Sequence, residues 1–175
     1  MIRKRTAEDD KVIKWLVEQE LLPLARQTFP GLKITMKELR ERMKRGTAYV
    51  VEQDAKGKHR IDGFVIAVTN PQDVWIDMLA VGREHQGKGL GSALLDKAEE
   101  EGRRKGCVNA QLFVDGVNSK AQMFYARKGY MITGYVQEVK CYQMTKALTA
   151  SKATSGFGIR LPAPAWDGGP ALPWK

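Results

Sequence analysis

The chain has 175 residues and a formal net charge of +9, with 43% hydrophobic and 28% charged residues. This length suits one domain with a substantial core and excludes two ordinary ones. The composition is that of a globular protein rather than a disordered one. The sequence contains no run of apolar residues long enough to span a bilayer, and no apolar stretch follows the basic start at Met1. We therefore expect neither a membrane span nor a secretory signal.

The positive charge raises the question of nucleic-acid binding. Basic residues alternate with acidic ones, as in Lys-Glu-Leu-Arg-Glu-Arg at 37–42. This pattern is typical of a solvated helix face, so we expect no specific nucleic-acid partner, although the charge also suits a polyanionic ligand. The two cysteines, Cys107 and Cys141, cannot form a disulfide framework, and the cytoplasm is the expected location.

Hydrophobic periodicity and turn residues divide most of the chain into strands and helices. The predicted strands cover residues 2–6, 47–52, 61–68, 74–81 and 108–114, with one or two more within 130–144. The predicted helices cover residues 12–21, 36–44, 90–105 and 118–128. Thr35 and Glu38 form a capping box at the second helix, and the acidic run 99–101 is expected on the outward face of the third. This order indicates a mixed α/β layer architecture.

The strand at 74–81 is apolar on both faces apart from Asp77, so we expect it at the centre of the sheet. Residues 147–175 differ in kind, because they are rich in Ala, Gly, Ser and Pro and lack any helix or strand period. We therefore predict a domain over residues 1–146 and a tail over 147–175. Trp166 and Trp174 either pack on the domain or a partner or lie in a disordered segment.

The most informative segment is His-Gln-Gly-Lys-Gly-Leu-Gly-Ser at residues 85–92, between an apolar strand and an amphipathic helix. Its alternate glycines allow positive φ angles and close approach of a ligand to the backbone. Successive N–H groups at a helix start bind phosphate, although a plain tight turn is the alternative. The nucleoside-triphosphate loop pattern fails because Gly89 replaces the required hydroxyl residue. The dinucleotide pattern fails because Ser92 replaces its third glycine.

The pattern that fits is [QR]-x-x-G-x-[GA] at residues 86–91, followed by Asn118, Ala121, Tyr125 and Gly129-Tyr130 as N-x-x-A-x-x-x-Y-x-x-x-G-[FY]. On these two signatures, over residues 74–131, the chain resembles the GNAT superfamily of N-acetyltransferases. The resemblance implies a mixed, mostly antiparallel sheet with splayed middle strands and helices on both faces. It also implies acetyl-CoA as cosubstrate, no metal, and an acyltransferase of EC class 2.3.1. The implied acceptor is a primary amine of a small molecule or peptide.

The resemblance also implies roles for individual residues. The implied cofactor-binding residues are Leu79, Val81, Gln86, Gly87, Lys88, Gly89, Gly91, Ser92, Asn118, Ala121 and Tyr125. The backbone N–H of Leu79 is expected to stabilise the developing oxyanion. Tyr125, two helical turns after Asn118, is expected to donate a proton to the departing CoA thiolate. The structural alternative for Tyr125 is a core tyrosine, and the structural alternative for Asn118 is a pure helix N-cap.

The general base is less well defined. Several family members carry a carboxylate where this chain has Phe113. Asp77 is the leading candidate because strand alternation predicts that it shares a face with Leu79 and Val81. Its alternative roles are a structural ion pair or orientation of the substrate. Asp115 is the second candidate and His85, expected to be exposed, is the third.

The acceptor amine is expected against residues 21–34 and 130–142, which hold few acids apart from Glu138. The sequence therefore indicates no cluster of carboxylates for a polycationic acceptor. The final strands and the aromatic tail offer a surface for a homodimer. An alternative to the enzyme is a non-catalytic CoA-binding sensor or scaffold that uses the tail to bind a partner.

Overall fold

The computed structural model describes residues 1–55 and 58–148, and these contain one seven-stranded sheet. The strands are β1 (Ile2–Lys4), β2 (Thr47–Ala55), β3 (Lys58–Thr69), β4 (Asp73–Val81), β5 (Asn109–Asp115), β6 (Met131–Val136) and β7 (Cys141–Ala147). Their spatial order is β1-β2-β3-β4-β5-β7-β6. All neighbours are antiparallel except β4 and β5. The predicted mixed, mostly antiparallel sheet is confirmed, with β4 at its centre.

Helices cover both faces of this sheet. They are α1 (Asp10–Leu16), α2 (Leu22–Thr28), α3 (Met36–Lys44), α4 (Leu90–Arg104) and α5 (Ser119–Arg127). A π-helical turn at Val17–Leu21 joins α1 to α2. One apolar cluster contains Phe64 with α1, α2 and α3, and a second contains Val65 with α4 and α5. Because Phe64 and Val65 are adjacent on β3, their side chains point to opposite faces of the sheet.

The start of α3 follows from local sequence. The Thr35 hydroxyl accepts a hydrogen bond from the Glu38 N–H at 3.1 Å, and the Glu38 carboxylate accepts one from the Thr35 N–H at 2.7 Å. These reciprocal bonds satisfy backbone donors that the first helical turn leaves unpaired. The predicted capping box and helix over Met36–Lys44 are both confirmed.

The acidic run on α4 is not directed outward as predicted, because only Glu100 is exposed while Glu99 and Glu101 are buried. Lys146 and the Tyr130 hydroxyl both donate to the Glu99 carboxylate, at 2.8 and 3.1 Å. The Glu101 carboxylate accepts from the Tyr49 hydroxyl at 3.0 Å and from Arg104 at 2.8 Å. The prediction was wrong because Tyr49, Tyr130 and Lys146 reach the helix from distant parts of the chain, and helical periodicity does not reveal such contacts.

We expect Glu101→Gln to lower the free energy of unfolding at neutral pH by about 1–2 kcal/mol. The Arg104 guanidinium, supported by the Tyr49 hydroxyl and opposed by burial, lowers the pKa of Glu101 from 4.5 to about 2. Because the folded-state pKa is the lower one, the carboxylate stabilises the fold above about pH 4.5, and this contribution is lost as the pH falls towards about 2. Urea denaturation across this range should show a flatter pH dependence for the variant. The exposed Glu100→Gln should keep the wild-type slope, and an unchanged slope in Glu101→Gln would contradict the assignment.

The folded part continues slightly beyond residue 146. Ala147 still pairs with Asn109 of β5, and Leu148 packs into the apolar cluster beneath α4. Residues 149–175, including Trp166 and Trp174, lie outside the described residues, as do residues 56–57 between β2 and β3. None of the described helices combines the length and apolarity needed to cross a membrane.

The centre of the sheet is open at one end. The parallel pairing of β4 and β5 runs from Asp73 and Asn109 to Ile76 and Leu112 and then stops. β4 nevertheless continues to Val81, and β5 continues to Asp115. The two middle strands are therefore splayed, as predicted, and a cleft opens between them.

Candidate functional site

A cleft of about 100 Å³ lies between the splayed ends of β4 and β5. It is lined by Glu20, Leu21, Leu24, Ile76, Asp77, Met78, Leu79, Phe113, Val114, Asp115, Asn118, Ala121, Tyr125 and Cys141. The structure therefore brings six predicted site residues to one cavity, namely Asp77, Leu79, Asp115, Asn118, Ala121 and Tyr125. The predicted acceptor segment 21–34 contributes Leu21 and Leu24.

The backbone of β4 presents free polar groups to this cleft. The Gly82 N–H donates to the Asp62 carbonyl of β3 at 2.9 Å. Hydrogen-bonded pairs alternate along antiparallel strands, so Ala80 and Met78 also direct their backbone groups towards β3. Leu79 and Val81 then direct their N–H groups to the opposite side, where β5 has splayed away. This arrangement suits the oxyanion donor predicted at Leu79 and an extended ligand lying along β4.

The glycine-rich loop joins β4 to α4. Gly87 and Gly89 have φ angles of 76° and 80°, and an added Cβ at either would meet no atom within 4 Å. The first internal hydrogen bond of α4 runs from the Ala93 N–H to the Gly89 carbonyl, so the preceding amides of Gly91 and Ser92 are free of helix bonds. With Lys88 exposed at the tip of the loop, these amides form an anion-binding helix start.

The side chain of Gln86 braces this loop, a role that sequence reasoning missed. Its amide nitrogen donates to the Val81 carbonyl at 2.9 Å and to Glu20 at 3.3 Å, and its oxygen accepts from Lys120 at 2.8 Å. The Gln86 backbone N–H, predicted to bind phosphate, instead donates to the Arg83 carbonyl at 3.4 Å. The only sequence signal for this bracing role was the glutamine itself, at the first position of the loop pattern. Its partners on the π-helical turn and α5 were not evident in the sequence.

The start of α5 faces the cleft. The Asn118 side-chain oxygen accepts from the Ala121 N–H at 3.0 Å, so Asn118 is the N-cap of this helix. Asn118 and Ala121 both line the cavity, as does Tyr125 two turns later. The capping role leaves the Asn118 side chain beside the cleft, where the predicted contact with a ligand is also geometrically open.

Tyr125 lies in an apolar part of the cleft. Its ring makes edge contacts with Phe124 and Tyr130, at centroid distances of 5.1 and 5.7 Å. Burial raises the pKa of Tyr125 well above its ordinary value. The phenol therefore stays protonated at neutral pH, which is the state required of a proton donor.

The prediction that Asp77 shares a face with Leu79 and Val81 is wrong. Met78 pairs with Ile66 and Ile76 pairs with Ala67, so Asp77 is the extra residue of a β-bulge. The bulge shifts the side-chain alternation. Leu79 and Val81 pack into the cluster with α4, whereas the Asp77 Oδ1 accepts from Arg42 of α3 at 2.8 Å.

Asp77 still lines the cleft with an incompletely satisfied carboxylate. Its side chain is only 6% exposed, and its Oδ2 has no hydrogen-bond partner among the described residues. Burial raises the pKa of Asp77, and the ion pair with Arg42 opposes this effect. A raised pKa makes a carboxylate a stronger proton acceptor.

The other base candidates occupy different places. Asp115 lines the cleft at the end of β5, and burial raises its pKa, opposed by a hydrogen bond from the Cys141 thiol. His85 is half-buried beside the loop, where its Nε2 lies 3.4 Å from the Asp62 carboxylate. Phe113 lines the cleft and stacks on Trp75 with a centroid distance of 5.3 Å.

The cleft is lined by acids that lie outside the predicted acceptor segments 21–34 and 130–142. Glu20, Asp77 and Asp115 come from three separate segments and line the same cleft. Glu138, the acid that the sequence emphasised, is exposed in the turn between β6 and β7. Within residues 1–55 and 58–148, no group of three or more His, Cys, Asp or Glu residues is arranged to hold a metal ion.

Comparison with known proteins identifies the family to which the two sequence signatures belong. Residues 12–130 match the model of the Acetyltransferase (GNAT) family. A curated acetyltransferase of Agrobacterium fabrum is 31% identical over 74 residues. This match covers 42% of the present chain and 53% of the relative, so the chain spans about half the length of the curated protein it matches.

Solved structures share the fold. The NatC complex bound to Gag peptide and CoA superposes with a TM-score of 0.68 at 19% identity, covering 85% of this chain and 98% of that one. The ribosomal-protein-S18-alanine N-acetyltransferase of Escherichia coli gives 0.67 at 17% identity, covering 90% and 99%. The PaiA N-acetyltransferase of Thermoplasma acidophilum with coenzyme A gives 0.64 at 20% identity, covering 84% and 98%.

Proposed function

Because the chain belongs to the GNAT acetyltransferase family, we propose that it transfers the acetyl group of acetyl-CoA to a primary amine by direct attack. The observation that carries this proposal is the gap between β4 and β5. It places free backbone groups of β4, a buried phenol and a buried carboxylate in one cleft beside a glycine-rich helix start. Two structural neighbours are bound to CoA, and two are named for a peptide or a protein alanine, which supports this class of reaction.

The loop residues fit the proposed cosubstrate. The amides of Gly87, Gly89, Gly91 and Ser92 would hold its pyrophosphate, with Lys88 at the rim as a counter-charge. The open space above Gly87 and Gly89 leaves room for phosphate oxygens against the backbone. Along β4 the N–H groups of Leu79 and Val81 would bind the pantetheine arm as an added strand does.

The chemistry then divides among three groups of this chain. When bound, acetyl-CoA supplies an acetyl group activated as a thioester. The Leu79 N–H would donate a hydrogen bond to the acetyl oxygen as negative charge develops there, an effect worth about 3 kcal/mol. Asp77 would accept the proton that the attacking amine loses. The Tyr125 hydroxyl would donate a proton to the sulphur as the carbon–sulphur bond breaks.

The structure also bears on the proposed cellular location and homodimer of the protein. Both cysteines are free and buried, which suits the proposed cytoplasmic location. The outermost strand, β6, exposes Met131, Ile132 and Tyr135. These side chains form the surface that we propose for a homodimer.

Thermal unfolding with and without acetyl-CoA tests the proposal. A ligand at a hundred times its dissociation constant adds about 2.7 kcal/mol of stability, so we expect the melting temperature to rise by several degrees. CoA release with a panel of amines then tests transfer. A stabilised protein that acetylates no amine would support the sensor or scaffold alternative. No stabilisation by acetyl-CoA, CoA or a longer acyl-CoA would overturn the cosubstrate assignment.

A further inference from the structure

Three carboxylates line the cleft although the chain as a whole is strongly basic. Glu20 comes from the π-helical turn, Asp77 from β4 and Asp115 from β5. In the described part of the chain, Arg42 is the only side-chain cation that forms an ion pair with any of them. Glu20 accepts hydrogen bonds from neutral donors, the Arg83 N–H and the Gln86 amide. Arg45 also attracts the Asp77 carboxylate electrostatically, so three carboxylates stand against two guanidinium groups inside a chain of net charge +9.

Asp77 provides a second, independent observation that favours a ligand in this cleft. Its side chain is 94% buried (6% exposed), its Oδ1 is paired with Arg42, and its Oδ2 lacks any described partner. Leaving a buried acceptor unpaired destabilises the folded protein, because the acceptor has lost its hydrogen bonds to water. An N–H group of a bound ligand would satisfy Oδ2 and remove this cost. Asp77 lies two residues from Leu79 on the same strand, so this ligand atom would be close to the proposed site of transfer.

Asp115 occupies the opposite wall. Its Oδ1 is 3.5 Å from the Cys141 Sγ, a weak hydrogen-bond donor, and no cation is paired with it among the described residues. Burial raises the pKa of Cys141 to about 12, so the thiol stays neutral. Asp115 lies three residues beyond the last paired position of β5, whereas Asp77 lies one residue beyond that of β4. At about 3.3 Å per residue and 4.8 Å between strands, their Cα atoms are at least about 8 Å apart.

We infer that the acceptor is an amine carrying a second cationic group several bonds away, with Asp77 facing the reacting nitrogen and Asp115 holding the second group. This inference rests on the proposed function. The chain between the two nitrogens would pack on Leu21, Leu24 and Phe113, which line the same cleft. A bound cation would also compensate the burial that raises the pKa of both Asp77 and Asp115.

Calorimetric titration of the protein, with and without CoA, tests the inference without requiring turnover. The probes are 1,4-diaminobutane and n-butylamine, which differ only in the second cationic group. We expect the diamine to bind the wild-type protein about tenfold more tightly, because its second ammonium group forms an additional charge-assisted hydrogen bond. In Asp115→Asn the two affinities should become nearly equal. Glu100→Gln removes the same charge from the exposed face of α4 and should keep the wild-type ratio.

Equal affinities for the two amines in the wild-type protein would overturn the inference, and this comparison does not depend on any variant folding. A diamine preference that persists in Asp115→Asn would overturn the role of Asp115. Failure of the proposed function has a different signature, namely no stabilisation by acetyl-CoA and no CoA release with any amine of the panel. Acetyl transfer with equal binding of both amines would leave the function standing and remove the inference.

Discussion

Tyr125→Phe is expected to lower kcat by about a hundredfold or more while leaving the binding of acetyl-CoA nearly unchanged. The phenol lies in the cleft against Phe124 and Tyr130, and burial keeps its pKa high, so its proton is available at neutral pH. Removing one oxygen keeps the ring contacts and the shape of the cavity. The lost interaction exists only while the carbon–sulphur bond breaks, so kcat and kcat/KM should fall together. Steady-state measurement of CoA release, with acetyl-CoA affinity from thermal shift, separates the two effects.

Tyr130→Phe is the matched control. Tyr130 is also buried and contacts the Tyr125 ring, but its hydroxyl donates to Glu99 at 3.1 Å and the residue is not part of the cleft lining. This substitution should reduce stability by about 1 kcal/mol and leave kcat at the wild-type value. If Tyr125→Phe retained wild-type kcat, Tyr125 would be a core residue with no part in the chemistry. Equal losses in the two variants would indicate a packing effect instead.

Much of the site was predictable because its signals are local. The glycine spacing at 86–91 requires positive φ at particular positions, and the structure places Gly87 and Gly89 in that region. Asn118 and Tyr125 are two helical turns apart, so one helix brings both to the cleft without any long-range information. The apolar strand 74–81 was correctly placed at the centre of the sheet because both of its faces are buried.

What the sequence did not reveal depends on contacts between distant segments. The bulge at Asp77 arises from the register of β4 on β3, and one extra residue is enough to redirect a carboxylate from one face of the sheet to the other. Glu20 reaches the cleft only because α1, the π-helical turn and α2 pack on that face. Glu99 is buried because Lys146 and Tyr130 meet it from the far end of the chain. None of these pairings has a periodic signature.

The two ends of the cleft have opposite electrostatic character. The loop end presents free amides with Lys88 and Lys120 close by, whereas the wall between the splayed strands carries Asp77 and Asp115. If the proposals hold, this basic chain offers a positive surface to the proposed polyanionic cosubstrate and a negative one to the inferred cationic acceptor. This separation explains why net charge alone did not indicate the kind of partner. Gln86 and Glu20 connect the two regions through a direct hydrogen bond.

Gly89→Ala is expected to weaken acetyl-CoA binding by about tenfold or more, and Gly106→Ala provides a control with nearly the same backbone strain. Their φ angles are 80° and 85°, and an added Cβ at either meets nothing within 4 Å. Both substitutions should therefore cost about 1–2 kcal/mol of stability from the left-handed conformation. Gly89 is the N-cap of α4, where a methyl group would occupy the space above the loop amides, while Gly106 follows the other end of that helix. Titration with acetyl-CoA should show a loss for Gly89→Ala alone. An equal loss in both variants would attribute it to strain, and no loss in either would place the cosubstrate elsewhere.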